Sequence, residues 1–261
     1  MDLSVAEFGD ENGEEPPLLI LHGLFGSGRN WTSIARKLAE GRRVLTVDLR
    51  NHGASPWDPA MDYRAMAADI LALVEKEGFD RPVVLGHSMG GKTAMAAALA
   101  EPAAIGALIV ADIAPVTYRH SNAAYVAAMQ AIDLSTIERR GDADAALLDV
   151  IPDAGVRGFL LQNLIFGEGG PRWQLNLDVI ADKMDQLIDF PYAPGEATYP
   201  GPTLFIAGGA SDYVRPEHHD AIRAFFPEAT IETVDGAGHW LHAEKPEAFL
   251  DLTTGFLLAS G

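Results

Sequence analysis

"GHSMGGKT", residues 86–93, decides the fold, because two chemical signatures overlap in it. Read from Gly86 through Gly91 to Lys92 and Thr93, it is G-x-x-x-x-G-K-T, a loop whose main-chain N–H groups cradle phosphate. Read from Gly86 through Ser88 to Gly90, it is G-x-S-x-G, a sharp strand-to-helix turn that exposes a serine hydroxyl above a sheet. Both need a strand before and a helix after, and PVVLG at 82–86 and KTAMAAALA at 92–100 supply them. Asp112, at the end of ALIVAD, even resembles the metal-holding aspartate of a nucleotide hydrolase.

Features further along the chain separate the two readings. A serine elbow turns so tightly that the positions two before and two after the nucleophile have almost no room, and Gly86 and Gly90 occupy them. Acyl transfer also needs a second N–H for the developing oxyanion, and HGLFGSG at 22–28, directly after the strand-like LLIL, is placed to offer it. A serine hydroxyl further needs a base, and His239 in DGAGHWLHAEKP follows the last predicted strand. Short motifs match by chance, but an ordered set rarely does, so the elbow is the reading adopted. Lys92 and Thr93 then become ordinary first-turn residues of a helix. ATP dependence would revive the phosphate loop.

The surrounding rhythm fits an open sheet. LLILH at 18–22, RVLTVD at 43–48, PVVLG at 82–86 and ALIVAD at 107–112 alternate with amphipathic stretches such as 62–78, where Tyr63, Met66, Ile70, Leu71 and Val74 share one face. This predicts an α/β fold, a mostly parallel sheet flanked by helices. From Pro115 to Ala197 helical patterns dominate, broken by DAGVRG and GEGGPRW, with no convincing buried strand. The reading is an inserted helical cap at 115–197, with 1–114 and 198–261 forming the core. Strands resume at TLFIA, 203–207, and TIETV, 230–234, each followed by a predicted helix, 216–226 and 245–258.

Composition bounds the partners. The 261 residues suffice for one such domain with an insertion. Lys and Arg total 19 against 37 Asp and Glu, and the formal charge of -18 repels nucleic acid and anionic lipid. The chain has no cysteine, which removes disulfides, thiolate metal sites and a thiol nucleophile. The acidic start lacks the basic and apolar segments of a secretory signal, and no apolar run is long enough to span a membrane, so a cytoplasmic protein without membrane insertion is expected.

Together LHGLFGSGRNW, VDLRNHGASP, GHSMGGK, DIAPV and GAGHWLHAEKP resemble the α/β-hydrolase superfamily, and within it the YbfF-type esterases and their mitochondrial relatives. The resemblance implies an α/β-hydrolase fold and a cofactor-free serine hydrolase for short to medium acyl esters, with acyl-CoA thioesters also open. Perhydrolysis and carbon–carbon bond hydrolysis use the same machinery. Asp-nucleophile members of the fold are disfavoured by Ser88 itself.

Ser88 is the expected nucleophile, His239 the base, and the main-chain N–H groups of Leu24 and Met89 the oxyanion donors, with Phe25 as an alternative to Leu24. The residues alone leave the orienting acid open between Asp112 and Asp212, which follows the TLFIA strand. The superfamily usually draws this acid from that later loop, where its customary place falls on Ser211, one residue short of Asp212. A DIAP-like segment combined with a serine there is what the subgroup displays, which implies Asp112. Phe25 and Trp240 are candidates for substrate contact. Tyr118, Tyr125, Met129, Phe159, Leu164, Phe166, Trp173 and Tyr192 are either cap core or an acyl tunnel. His22 and His52 read as loop-holding residues, a metal site from His22, His52 and His87 lacks ligand spacing, and Glu244 and Lys245 read as a solvated face.

Overall fold

The computed structural model describes residues 1–10 and 13–260. In chain order the strands are β1 (Val5–Gly9), β2 (Leu18–Leu21), β3 (Arg43–Val47), β4 (Val83–His87), β5 (Ala107–Ala111), β6 (Leu164–Gly167), β7 (Gly170–Trp173), β8 (Thr203–Gly208) and β9 (Ala229–Val234). The larger sheet has seven strands in the order β1-β3-β2-β4-β5-β8-β9. All its neighbours pair in parallel except β1, which runs antiparallel to β3 along the edge. β2, β4 and β5 are buried along their whole length, as unbroken apolar runs must be when helices cover both faces.

The helices are α1 (Thr32–Leu38), α2 (Tyr63–Lys76), α3 (Met89–Ala100), α4 (Ala123–Gln130), α5 (Arg140–Leu147), α6 (Ala154–Leu161), α7 (Leu177–Asp182), α8 (Met184–Ile188), α9 (His219–Phe225), α10 (Leu241–Glu244) and α11 (Pro246–Ser260). The expected 62–78 helix is α2, started by the Asp62 side chain accepting from Ala65 N. Its buried residues Tyr63, Met66, Ile70, Leu73 and Val74 recur at helical spacing and pack with α3 into one of two apolar clusters flanking the sheet. α3 is buried from Met89 through Leu99, and its alanines let it lie close to the sheet and to α2.

Between β5 and β8 the chain leaves the sheet for α4 to α8. The excursion is helical except for the β6–β7 hairpin, whose turn passes through Gly170 at φ 88°. The hairpin is mostly solvent-facing, so its apolar pattern is weak. β1 was likewise not anticipated, because its residues are largely exposed and alternate poorly. Among the described residues no helix is long and apolar enough to cross a membrane.

The sheet order changes direction between β2 and β4: β3 lies on one side of that pair and β5 on the other. At such a point the loops leaving the carboxyl ends diverge and open a crevice. The loop carrying Leu24 and the turn carrying Ser88 flank this crevice, and the segments after β5, β8 and β9 border it.

Candidate active site

The strand-to-helix turn at 86–90 leaves no room for side chains. A Cβ on Gly86 would sit 2.2 Å from Gly90 O, and one on Gly90 2.4 Å from Leu21 O. Ser88, between them, is held at φ 51° and ψ -117°, a conformation that costs roughly 1–3 kcal/mol for a residue with a Cβ. In return it is half-exposed while both its neighbours are buried, so the bend delivers one hydroxyl to the crevice.

Lys92 and Thr93 are not the ordinary first-turn residues expected from sequence; both are buried. Thr93 Oγ1 donates back to Met89 O. The Lys92 ammonium donates to Val116 O, Ile188 O and Asp189 O at 2.9, 2.9 and 2.7 Å. It therefore faces the roots of the β5–β8 excursion, with no donor left for an anion in its own loop. Burial draws its pKa down to about 7, against which the Asp189 charge acts.

His239 Nδ1 donates to Asp112 Oδ2 at 2.8 Å. Asp112 is wholly buried and sits just past β5 at φ 50°. Its Oδ1 accepts from Gly208 N at 2.9 Å and its Oδ2 also accepts from Ser211 Oγ at 2.5 Å. Asp212 is exposed. The loop after β8 thus contributes a hydroxyl to the carboxylate rather than a carboxylate to the imidazole. With Nδ1 donating, the neutral His239 ring has its lone pair on Nε2.

Several neighbours fix the imidazole. Tyr213 stacks on it, ring centroids 4.0 Å apart. His87 Nε2 donates to His239 O at 2.8 Å. Burial first, and then the neighbouring His239 and His242, hold the His87 pKa well below the usual histidine range, so it acts as a neutral donor. Glu244 is exposed as expected, yet it is more than a solvated side chain: its carboxylate accepts from Gly238 N at 2.7 Å and Trp240 N at 3.2 Å, on either side of His239. Tyr213, His87 and Glu244 were not assigned to the site from sequence, because their nearness to His239 depends on loops folding over one another. The GHWLHAE spacing was the one available signal for Glu244.

His22 and His52 brace the loop after β2. His22 Nδ1 donates to Gly23 O at 2.8 Å and its Nε2 accepts from Leu49 N at 3.0 Å. His52 Nε2 accepts from Phe25 N at 3.3 Å. Burial pulls His22 to about 4, and burial with the neighbouring His22 pulls His52 to about 3. Because the Phe25 N–H is engaged, Leu24 is the available main-chain donor of that loop. Among the described residues neither the Leu24 nor the Met89 N–H has a hydrogen-bond acceptor.

Ser88 and His239 line one cavity of about 230 Å³, with Leu24, Phe25 and Trp240 in its wall. Of the aromatic residues singled out in the excursion, Tyr125 and Phe159 reach this cavity. Leu164 and Met129 are buried in the packed core, and Phe166 is largely solvent-exposed. Val156 and Leu160 of α6 also line it and were not anticipated.

A family model described as "Alpha/beta hydrolase family" matches residues 18–252. The chain is 45% identical to the mouse (Mus musculus) "sn-1-specific diacylglycerol lipase ABHD11", over 95% of this chain and 83% of that protein. It is 38% identical to "Esterase YbfF" of Escherichia coli strain K12, over 94% of each. Among solved structures, "Marine microorganism esterase" superposes with a TM-score of 0.92 at 37% identity, covering 98% of this chain and 99% of the other.

Proposed function

The chain belongs to the alpha/beta hydrolase family, and from that premise we propose that it hydrolyses carboxylic esters through an acyl-enzyme on Ser88. The observation that carries the reading is the His239–Asp112 hydrogen bond of 2.8 Å beside a cavity that both Ser88 and His239 line. The relatives named above are an esterase and a diacylglycerol lipase, and a carboxylic ester is the bond their names share.

In this mechanism Ser88 Oγ attacks the ester carbonyl carbon while His239 Nε2 removes its proton. The negative oxygen of the tetrahedral intermediate accepts from the N–H groups of Leu24 and Met89, the latter at the start of α3, where the helix end favours negative charge. Asp112, buried and itself held by Gly208 and Ser211, keeps the His239 ring oriented and stabilises its protonated form. His239 returns the proton to the departing alcohol, then activates water to free the acid from Ser88. The chain supplies every group this sequence of steps uses, so no cofactor is invoked. Thioesters, acyl-CoA included, break by the same steps. Residues 115–197 are read as a cap, a reading supported by the α4 and α6 side chains that line the cavity.

The test is labelling with a serine-reactive fluorophosphonate alongside turnover of p-nitrophenyl acetate. Native protein should label and turn over, and Ser88→Ala should do neither. A folded native protein that stays unlabelled would sink the proposal.

A further inference from the structure

Tyr118 is buried in the segment that leaves the sheet between β5 and α4. Its sequence pattern leaves it between cap core and tunnel lining, but its hydroxyl has a definite place. Tyr118 Oη accepts from the buried Ala114 N at 2.9 Å, and its own proton goes to Tyr213 O at 2.6 Å. The same carbonyl lies 3.1 Å from His218 Nδ1, which Arg215 N also approaches at 3.3 Å, and one ring nitrogen cannot donate to the first and accept from the second. Tyr118 is therefore the donor whose sense the geometry fixes.

The receiving residue covers the histidine. The Tyr213 ring stacks on His239 with centroids 4.0 Å apart and planes 20° from parallel. Tyr213 N donates to Ser211 Oγ at 3.2 Å, the hydroxyl that in turn donates to Asp112 Oδ2. The main chain of Tyr213 is thus pinned at its N–H from the aspartate side and at its carbonyl by Tyr118. Asp112 fixes one atom of the imidazole, Nδ1. A ring held at one atom can still tilt and carry Nε2 with it; the stack removes that freedom.

Tyr118 is itself anchored from the helix that starts at the serine turn. Its N–H donates to Ile188 O at 2.9 Å, a carbonyl that also accepts from Lys92 Nζ at 2.9 Å, and Lys92 Nζ lies 4.8 Å from the Tyr118 ring centroid. Lys92 belongs to α3, whose first residue follows Ser88. Contacts therefore run without a break from the serine turn through α3, Lys92 and Tyr118 to the ring stacked on His239, by way of the root of the β5–β8 excursion.

Resting on the hydrolase reading proposed above, we infer that Tyr118 is a positioning residue for His239: its hydroxyl holds Tyr213 in the stack that keeps Nε2 in the pose from which it serves Ser88. The alignment of base and nucleophile is then set from the root of the excursion as well as by the loops that carry the two residues. A misplacement on the order of 1 Å costs about a hundredfold in rate, so removal of this one hydroxyl should reach the chemistry.

Tyr118→Phe keeps the ring and removes the hydroxyl, and kcat taken per site labelled to completion by the fluorophosphonate discounts any unfolded fraction. On p-nitrophenyl acetate its kcat should fall at least about tenfold while KM stays within about twofold, the split left by an interaction that matters in the transition state. Tyr213→Ala should lower kcat at least as much. Adding Tyr118→Phe to it should cost no more than about a further twofold, because the ring through which the hydroxyl acts is gone. A role confined to stability would lower the thermal midpoint and leave kcat per labelled site intact. If the phenylalanine variant does not fold, Tyr118→Met, flexible enough to fill the same space, carries the same comparisons. A smaller fall in kcat, a loss that appears in KM instead, or an equal loss with and without the Tyr213 ring overturns the inference while labelling and turnover of the native protein stand. A native protein that neither labels nor turns over removes the hydrolase reading, and this inference with it.

Discussion

At Asp112 the backbone turns left-handed, φ 50°, as it leaves β5, and the carboxylate is wholly buried between Gly208 N, Ser211 Oγ and His239 Nδ1. A buried carboxylate is retained where each oxygen is hydrogen-bonded, and both of these are. Asp212, one residue beyond Ser211, lies exposed. We therefore expect Asp112→Asn to lower kcat by about four orders of magnitude, since the amide favours the wrong imidazole tautomer. Asp212→Asn should stay within about twofold of the native rate, as surface substitutions usually do. Steady-state kinetics on p-nitrophenyl acetate check both, and equal losses would contradict the geometry. At this scale Ser88 was legible because glycines at 86 and 90 are a local steric requirement. The choice of acid was not legible from the residues alone, because it depends on which loop approaches His239, a contact that spans 127 positions.

Among the elements, α3 carries the largest departure from its sequence pattern. Lys92 is the kind of residue expected on a solvated helix face, yet it is buried and ties Val116 to Ile188 and Asp189, the two ends of the β5–β8 excursion. Its folded-state pKa of about 7 lies below the model-compound value of 10.5. Between these values the unfolded chain holds a proton that the folded one has released, so this group makes stability rise with pH across the window. Below pH 7 both states are protonated and the cost of burying the charge is fully present. The unfolding free energy of the native protein minus that of Lys92→Met should thus increase from pH 7 to pH 10, by up to about 4 kcal/mol. Urea unfolding at several pH values measures it, and a difference that stays flat would contradict the burial of a titrating ammonium. The unpaired carbonyls left by methionine add a pH-independent loss that does not affect this slope. β1 and the β6–β7 hairpin escaped sequence reading for a related reason. Their exposed faces carry no periodic apolar signal, and their pairing partners supply the order.

For the molecule as a whole, the formal charge of -18 sets how charged substrates approach. If acetyl-CoA is among them, a polyanion must reach the crevice against this field, and salt shortens the reach of the repulsion, with a Debye length of about 10 Å at 0.1 M. We expect kcat/KM for acetyl-CoA to rise roughly threefold or more between low and moderate ionic strength, while that for p-nitrophenyl acetate stays level. A fall with salt would instead reveal a local cationic surface. The succession of β2, β3, β4, β5, β8 and β9 along the chain and the position of the serine turn, the loop after β2 and the histidine loop after β9 were determined by sequence alone, because apolar runs that need two-sided burial and glycines that need backbone room are local demands. Tertiary structure alone decided that a lysine would be buried and that a serine would support the aspartate where an acid was a candidate. Each of these arises where segments distant in the chain compete for one volume, and no local pattern records the outcome of that packing.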